Sequence, residues 1–192
     1  MEQALQTPAV SYPRSRFGPA LASRLGRLSY PAFSSCLALV LQELGFQDVQ
    51  LSERRFDRGR TNSAGIDFTA SLPTPLGPLR IGGQFKRYDR VRVSRQHLAV
   101  LTAATRRRGL AQAVMVATGE ISAAARQDAA ADDGPPVRLV DGTELARAMT
   151  DARVGCVRVT DWVSGEPRYL LDEPFFDRLE RQGLRNDPRT TH

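Results

Sequence analysis

Residues 81–89 read IGGQFKRYD, a short stretch in which polar side chains interrupt a segment that otherwise resembles a buried strand. The pattern predicts a β-strand over residues 79–88. Alternate side chains of a strand share one face, so Gln84 and Lys86 should point the same way and Phe85 to the opposite side. The strand therefore presents an amide and an amine together.

Lys86 is the only lysine among the 27 Lys and Arg residues of the chain. An arginine guanidinium is always charged and delocalised, whereas a lysine ammonium is a compact charge whose pKa shifts readily on burial. A chain that uses arginine at every other basic position therefore indicates a chemical need for an amine at this one.

The segments before this strand predict a helix followed by a hairpin. Residues 30–44 have apolar positions spaced for one helical face, and Gly45 is placed to end that helix. Residues 49–51 and 66–69 have extended character, and the turn-rich sequence SLPTPLGP joins the second of them to the IGGQFKRYD strand. Asp67 of the GIDF sequence should then lie near Gln84 and Lys86.

The segments after it alternate between helix and strand, which predicts an α/β layer architecture. Ser94 and Ser122 are suitable helix N-caps, and Gly109 is suited to end the first of these helices. The remaining predicted elements are the apolar strand AVMVATG, a strand at 137–140, a helix at 143–149, a strand CVRVTDWV and an amphipathic segment EPFFDRLERQ.

Both termini look different from the centre of the chain. Residues 1–28 are rich in Arg and Pro, contain one acidic residue and show little periodicity, which favours a flexible arm. The same composition is compatible with a transit peptide or with an arm that reaches a phosphate backbone. Residues 151–192 are predicted as a C-terminal extension that packs, partly through Trp162, Phe175 and Phe176, on the core or on a partner.

Composition limits the class of protein. The 192 residues, 41% of them hydrophobic, suit one globular domain, and no apolar run is long enough to span a membrane. The net charge of +6 and pI near 10.1 favour a polyanionic partner, although a GC-rich coding sequence would also enrich arginine. Cys36 and Cys156 fit no metal spacing, so we expect free thiols in a reduced, cytoplasmic compartment, with a disulfide as the unsupported alternative.

The polar residues of the two paired strands suit one chemistry. The Asp67 carboxylate and the Gln84 amide oxygen are hard donors of the kind that bind Mg²⁺. A lysine beside such a metal can orient an attacking water and offset developing negative charge. The constellation of Asp67, Gln84 and Lys86 therefore predicts hydrolysis of phosphodiester bonds.

These sequences, in the order LGF, GID, QFKRY, VATG, ISAAA and RLVDGTELA, resemble the Mrr-type restriction endonuclease domain of the PD-(D/E)xK nuclease superfamily. The resemblance covers about residues 30–150. It implies a restriction-endonuclease-like core with a central mixed β-sheet flanked by helices. The implied nuclease domain is residues 29–150, between the arm and the extension.

The resemblance also implies roles for single residues. Asp67 would be a metal ligand, Gln84 and the Phe85 backbone carbonyl would complete the ligand set, and Lys86 would be the catalytic lysine. The implied cofactor is Mg²⁺, with Mn²⁺ able to substitute. Relatives often carry a glutamate where this chain has Ser34, and Glu43, over two turns further along the predicted helix, is an uncertain substitute.

We therefore expect a metal-dependent DNA endonuclease in restriction or defence against foreign DNA. The alternative is a nuclease-fold subunit with weak or no activity that binds DNA or assembles with a partner, which the missing glutamate favours. Arg87, Tyr88 and Arg90 are expected to contact DNA phosphates, and His97 is expected to be a surface histidine. A homodimer or a partner subunit would have to supply specificity.

Overall fold

The computed structural model describes residues 10–52, 56–57, 60–61, 65–87, 93–119, 121–131 and 134–185 of the 192-residue chain. Within these ranges the elements, in chain order, are β1 Tyr12–Pro13, α1 Arg14–Gly26, α2 Tyr30–Glu43, β2 Gln47–Leu51, β3 Phe56–Asp57, β4 Arg60–Thr61, β5 Phe68–Leu72, β6 Leu79–Lys86, α3 Arg95–Arg107, β7 Gln112–Ala117, α4 Ala123–Ala131, β8 Val137–Val140, α5 Gly142–Asp151, β9 Cys156–Thr160, β10 Pro167–Leu171 and α6 Glu173–Arg185.

The central sheet has five strands in the order β2-β5-β6-β7-β8. Strands β2, β5 and β6 pair antiparallel, whereas β6, β7 and β8 pair parallel through the crossover helices α3 and α4. The sheet is therefore mixed and flanked by helices, which confirms the predicted fold class. A separate antiparallel sheet has the order β1-β10-β9.

Each face of the central sheet packs against its own hydrophobic core. Helices α1, α2, α5 and α6 contribute to the core on the face that carries Phe68 and Phe85. Helices α3 and α4 contribute to the core on the other face, with Met115 at its centre. Strand β6 lies between the two cores, so its polar side chains are held in a largely apolar surrounding.

Gly83 of β6 allows two aromatic rings to stack beside it. The Phe68 and Phe85 rings lie parallel, with 4.8 Å between centroids. A Cβ atom at position 83 would overlap the Phe68 ring and approach the Val114 carbonyl oxygen to 2.6 Å. Glycine is needed here because a side chain would push apart the strand that carries Gln84 and its neighbours.

The predicted helix boundaries are confirmed where the capping residues can be seen. The Ser94 hydroxyl accepts from the His97 N–H and the Ser122 hydroxyl accepts from the Ala125 N–H, at 3.4 and 3.2 Å. Gly45, directly after α2, has a φ of 91° that other residues rarely adopt.

The predicted flexible arm is wrong for residues 14–26, which form helix α1. Its side chains Phe17, Leu21 and Leu25 are at most 2% exposed and lie in the core beside α5. These three positions follow one another at intervals of four residues, which is a helical pattern. Pro19 and Arg24, which lie between them, obscured it. The first nine residues of the predicted arm lie outside the described ranges.

An arginine of the predicted arm also has a structural role. The Arg24 Nε donates to Glu173 Oε2 at 2.7 Å, and its guanidinium lies 4.8 Å from the centroid of the Phe176 ring. Since Glu173 and Phe176 belong to α6, this arginine joins the two ends of the chain. It is therefore not available to reach a phosphate backbone as an arm would.

The C-terminal segment forms the hairpin β9–β10 and the helix α6. Phe176 and Leu179 of α6 are buried in the core that α2 also lines. The predicted strand CVRVTDWV ends at Thr160, because Asp161 accepts from the Val163 and Ser164 N–H groups and so turns the chain. Trp162 lies in that turn and is 93% exposed, so it does not pack on the described core as predicted.

Two further observations concern membrane-spanning helices and the state of the two cysteines. None of the helices in the described ranges is long and apolar enough to cross a membrane. Cys36 and Cys156 are both free thiols, and burial raises the pKa of the Cys36 thiol to about 12. A thiol with so high a pKa stays protonated and unreactive near neutral pH.

Candidate active site

Asp67 is fixed by backbone hydrogen bonds at the point where β5 begins. Its N–H donates to the Gly83 carbonyl at 2.7 Å, and its carbonyl accepts from the Ser52 N–H at 2.8 Å. The antiparallel register pairs Phe68 with Gly83, so Asp67 lies beside Gln84 at the end of the hairpin. The structure thus brings together the two residues that the sequence analysis expected to meet.

The Asp67 side chain is turned into the protein, where it is 3% exposed. Its Oδ2 accepts from the Phe85 backbone N–H at 2.8 Å. The N–H and C=O groups of one strand residue point to the same edge of the strand, so the Phe85 carbonyl is directed towards the Asp67 side. A carboxylate oxygen and a carbonyl oxygen therefore converge on one edge of β6.

Gln84 adds a buried oxygen to this edge of the sheet. The side chain is 6% exposed, and its Oε1 has no hydrogen-bond partner within the described ranges. A buried acceptor without a partner costs about 1–3 kcal/mol, so proteins seldom retain one that has no use. Its position beside Asp67 is consistent with an acceptor kept for a bound group.

Lys86 is half-buried and ends strand β6. Its backbone carbonyl accepts from the Thr118 N–H at 3.1 Å, and it pairs with Ala117 of the parallel strand β7. The VATG segment, one of the sequences on which the family resemblance rests, therefore has a structural role, because it holds the backbone of Lys86. The lysine side chain shares the face of Gln84, as predicted from strand alternation.

His97 lies close to Lys86, which the sequence did not reveal. The imidazole Nδ1 accepts from the Ser94 N–H at 3.2 Å, so the ring is oriented by a capping box at the start of α3. Burial, and then the positive charge of Lys86, lower the pKa of the His97 imidazole below its usual value of 6.5. No spacing rule could have shown this, because Lys86 and His97 belong to different elements, β6 and α3.

The donor set fits a hard divalent cation with few protein ligands. One carboxylate, one amide oxygen with unused acceptor capacity and one carbonyl are oxygen donors that suit Mg²⁺, which keeps several waters. Among the described residues, no group of three or more His, Cys, Asp or Glu side chains could hold a metal. Any metal here would therefore depend on one charged ligand and neutral oxygens.

Glu43, the candidate for a second carboxylate, does not lie at the site. Glu43 is exposed at the C-terminal end of α2. Shortly after that end, Gln47 of β2 pairs with Ser71 of β5, and Ser71 pairs with Arg80 at the start of β6. The start of β6 is the end remote from Lys86. Position 34 carries a serine, which is buried at 6% exposure.

The predicted DNA contacts are only partly described. Arg87 directly follows β6 and is exposed to solvent. Tyr88 and Arg90 lie outside the described residues. An exposed arginine one residue beyond Lys86 is suitably placed for a phosphate that reaches the site.

The mixed sheet, with a buried aspartate and a QxK sequence at neighbouring strand ends, defines a restriction-endonuclease-like protein. Residues 25–149 match the Mrr_cat family, described as a restriction endonuclease. The match covers well over half of the chain, and the chain belongs to this family. Family members generally use divalent metal ions. No curated protein sequence matches the chain.

Two solved structures are similar to this chain in fold. AspBHI, a DNA modification-dependent restriction endonuclease, shares 18% sequence identity with a TM-score of 0.55 over 80% of this chain and 39% of its own. MspJI, solved in complex with a 27-mer oligonucleotide, shares 23% identity with a TM-score of 0.51 over 78% of this chain and 35% of its own. The present chain thus spans well under half the length of either enzyme.

Proposed function

We propose that this chain is a Mg²⁺-dependent DNA endonuclease that acts in restriction or defence against foreign DNA. The observation that carries the proposal is the edge of β6, where Asp67 is buried against the Phe85 N–H and Gln84 Oε1 is buried without a partner in the described chain. Family membership supports the reaction class.

The residues at this edge have separable roles in the proposal. Asp67, Gln84 and the Phe85 carbonyl hold the metal, which when bound would polarise a phosphate oxygen and lower the pKa of a coordinated water. Lys86 supplies a compact positive charge next to them, oriented to hold the attacking water and to offset the negative charge that develops on the phosphate. Arg87 contacts the neighbouring backbone phosphate.

The source of DNA specificity and the number of protomers are part of what we propose. We propose that specificity comes from a second copy, a partner subunit or a modified base in the DNA. AspBHI, which shares the fold, depends on DNA modification. Cleavage of both strands by a protomer with one site would require two protomers.

A second candidate function is supported by the single carboxylate of the site. With one charged ligand and no group of three metal-binding side chains in the described ranges, metal affinity would be low. The protein would then be a nuclease-fold subunit that binds DNA, or assembles with a partner, without efficient cleavage. Metal-dependent nicking separates the two candidates.

The test is cleavage of supercoiled plasmid by the purified chain with Mg²⁺, Mn²⁺ or Ca²⁺, on methylated and unmethylated DNA. We expect nicking with Mg²⁺ or Mn²⁺ and none with Ca²⁺. Asp67→Ala should abolish nicking but largely retain DNA binding in an anisotropy assay, because the exposed arginines remain. Undiminished nicking by Asp67→Ala would refute the site, and DNA binding without nicking on every substrate would favour the second candidate.

A further inference from the structure

The His97 imidazole is held in an orientation that decides which of its nitrogens carries the proton. The Ser94 N–H donates to Nδ1 at 3.2 Å, so Nδ1 is the accepting nitrogen. The His97 N–H donates in return to the Ser94 hydroxyl at 3.4 Å, and the two hydrogen bonds form the capping box of α3. A neutral imidazole has one accepting and one donating nitrogen. Nε2 is therefore the donor of the neutral ring.

Helix α3 covers the face of the central sheet to which the polar side chains of β6 point. The parallel register pairs Gln84 with Met115 and Lys86 with Ala117. Residues in register on neighbouring parallel strands point to the same face of the sheet. Met115 and Ala117 lie in the core that α3 and α4 line. The Gln84 amide and the Lys86 amine therefore project to the α3 side of the sheet.

The direction of α3 brings its first turn to the end of β6 at which Lys86 lies. Just beyond the C-terminal end of the helix, the Ala111 N–H donates to the Arg80 carbonyl at 2.9 Å, at the start of β6. Helix α3 therefore runs antiparallel to β6, and His97, in its first turn, lies at the Lys86 end. Burial, and then the charge of Lys86, lower the pKa of the His97 imidazole, which agrees with this placement.

The same side of α3 packs against the segment that leads into Asp67. A Cβ atom on Gly65, two residues before Asp67, would lie 3.0 Å from the Val100 carbonyl oxygen and 2.9 Å from the Ala104 Cβ. His97, Val100 and Ala104 follow one another at intervals of three and four residues, so they share one side of the helix. His97 is thus the first member of this row, one turn closer to the active-site end of β6.

We propose that His97 contacts the DNA substrate and that its Nε2–H donates to an oxygen of a backbone phosphate at the active site. Lys86 and Arg87 offer positive charge there, whereas a neutral imidazole adds a directed donor that fixes where the phosphate lies. The positive end of the α3 dipole disfavours an imidazolium, and a pKa below 6.5 leaves the ring neutral at pH 8. This inference rests on the proposed function, since it needs DNA at the site, but it needs no metal ion.

The test measures the affinity for a labelled DNA duplex, methylated or unmethylated, by fluorescence anisotropy at pH 8 with Ca²⁺ and several salt concentrations. His97→Asn keeps an amide oxygen where Nδ1 accepts and removes the Nε2–H. We expect about tenfold weaker binding, the lower end for one hydrogen bond to a charged group. The slope of log affinity against log salt should not change, because a neutral ring releases no counterion. His97→Gln, which can also complete the capping box, should weaken binding too and covers the case in which asparagine impairs folding.

Two neighbouring residues provide matched controls. Arg87 is exposed and directly follows Lys86, so Arg87→Gln should weaken binding and reduce the salt slope by about one. Gln96 is exposed, uncharged and adjacent to His97 in α3, and Gln96→Ala should leave the affinity unchanged. A loss as large as that of His97→Asn would mean that any polar side chain at the start of α3 contributes, and would overturn the assignment to His97.

The remaining outcomes separate this inference from the proposed function. If both His97 variants bind DNA as wild type does while Arg87→Gln binds more weakly, the DNA site stands and the role of His97 is refuted. If both variants reduce the salt slope by about one, the contact is ionic and the neutral donor is refuted. If both clearly lower the melting temperature, the imidazole is structural and the inference also fails. If wild type binds neither duplex, both proposals fail.

Discussion

Two aspartates near the carboxyl edge of the parallel strands differ in the polar groups that surround them. Asp141 follows β8, and its Oδ1 accepts from the Thr143 and Glu144 N–H groups at 3.0 Å. Its Oδ2 accepts from Arg126 at 2.5 Å. Asp67, near the end of β6, accepts from the Phe85 N–H and lies beside Gln84, whose Oε1 has no partner in the part of the chain that the structure describes.

This difference shows how a polar residue can be assigned to structure or to function. The interactions of Asp141 cap α5 and join it to α4, so its carboxylate contributes to stability. The Gln84 Oε1 beside Asp67 is buried without a hydrogen-bond partner in the described ranges, which costs stability. Removing the first kind of group should destabilise the fold, whereas removing the second should impair a reaction.

After the loss of nicking in Asp67→Ala, the next largest expected effect is that of Lys86→Arg. If Lys86 supplied only a positive charge, arginine should replace it without loss of activity, since arginine stands at every other basic position of this kind in the chain. If it holds the attacking water, the larger planar guanidinium displaces that water, and the cleavage rate should fall on the order of a hundredfold or more. Single-turnover cleavage at saturating Mg²⁺ measures this, with circular dichroism to confirm the fold. Equal rates would make the lone lysine an accident of codon usage.

Gln84→Met should separate stability from function at one residue. Methionine has a similar volume and removes the unpartnered Oε1, so the free energy of unfolding should stay equal or increase. Mn²⁺ affinity should fall by about tenfold because a metal ligand is lost. Urea unfolding and Mn²⁺ binding measure the two quantities. A clearly lower stability with unchanged Mn²⁺ affinity would place Gln84 with Asp141 as a structural residue.

Asp141→Ala should give the opposite result. Loss of the α5 cap and of the Arg126 ion pair, whose aspartate is 21% exposed, should lower the free energy of unfolding by about 1–2 kcal/mol. Cleavage below the melting temperature should change little. Asp141→Asn is the matched control, since an asparagine keeps the cap but not the charge and should lose less stability. A rate defect without destabilisation would contradict this assignment.

The sequence predicted the elements of the central sheet well because their signals are local. The alternation of QFK determines which side chains share a face, and the caps at Ser94 and Ser122 need only three residues to be recognised. The resemblance implied a mixed sheet flanked by helices but no order of strands, since pairing between distant segments cannot be read from periodicity alone. The sheet order β2-β5-β6-β7-β8 is such a long-range property.

Features that depend on distant partners were missed. Helix α1 is stabilised by burial of Phe17 against Tyr169, with 5.4 Å between ring centroids, and the two residues are far apart in the chain. The turn at Trp162 depends on the Asp161 side chain rather than on hydrophobic pattern. The burial of Ser34 likewise follows from the packing of α2 on β6, which the helix sequence does not specify.

The smallest expected effect concerns His97. Its pKa in the folded chain lies below 6.5 because of burial and, next, the charge of Lys86. As pH falls through about 6.5, the unfolded chain therefore binds a proton that the folded chain does not, and stability decreases until the folded pKa is passed. His97→Gln removes this component, and glutamine retains the side-chain acceptor of the capping box.

Urea unfolding from pH 8 to pH 5 should show wild type losing slightly more stability on acidification than His97→Gln, with the two close at pH 8. Parallel curves would contradict the lowered pKa. An NMR titration of the two histidines, His97 and His192, tests the cause directly. Lys86→Met should raise the pKa of His97, because the positive charge of Lys86 contributes to lowering it. A His97 pKa that does not move would mean that burial alone sets it, and that the Lys86 ammonium points away from α3 towards the site.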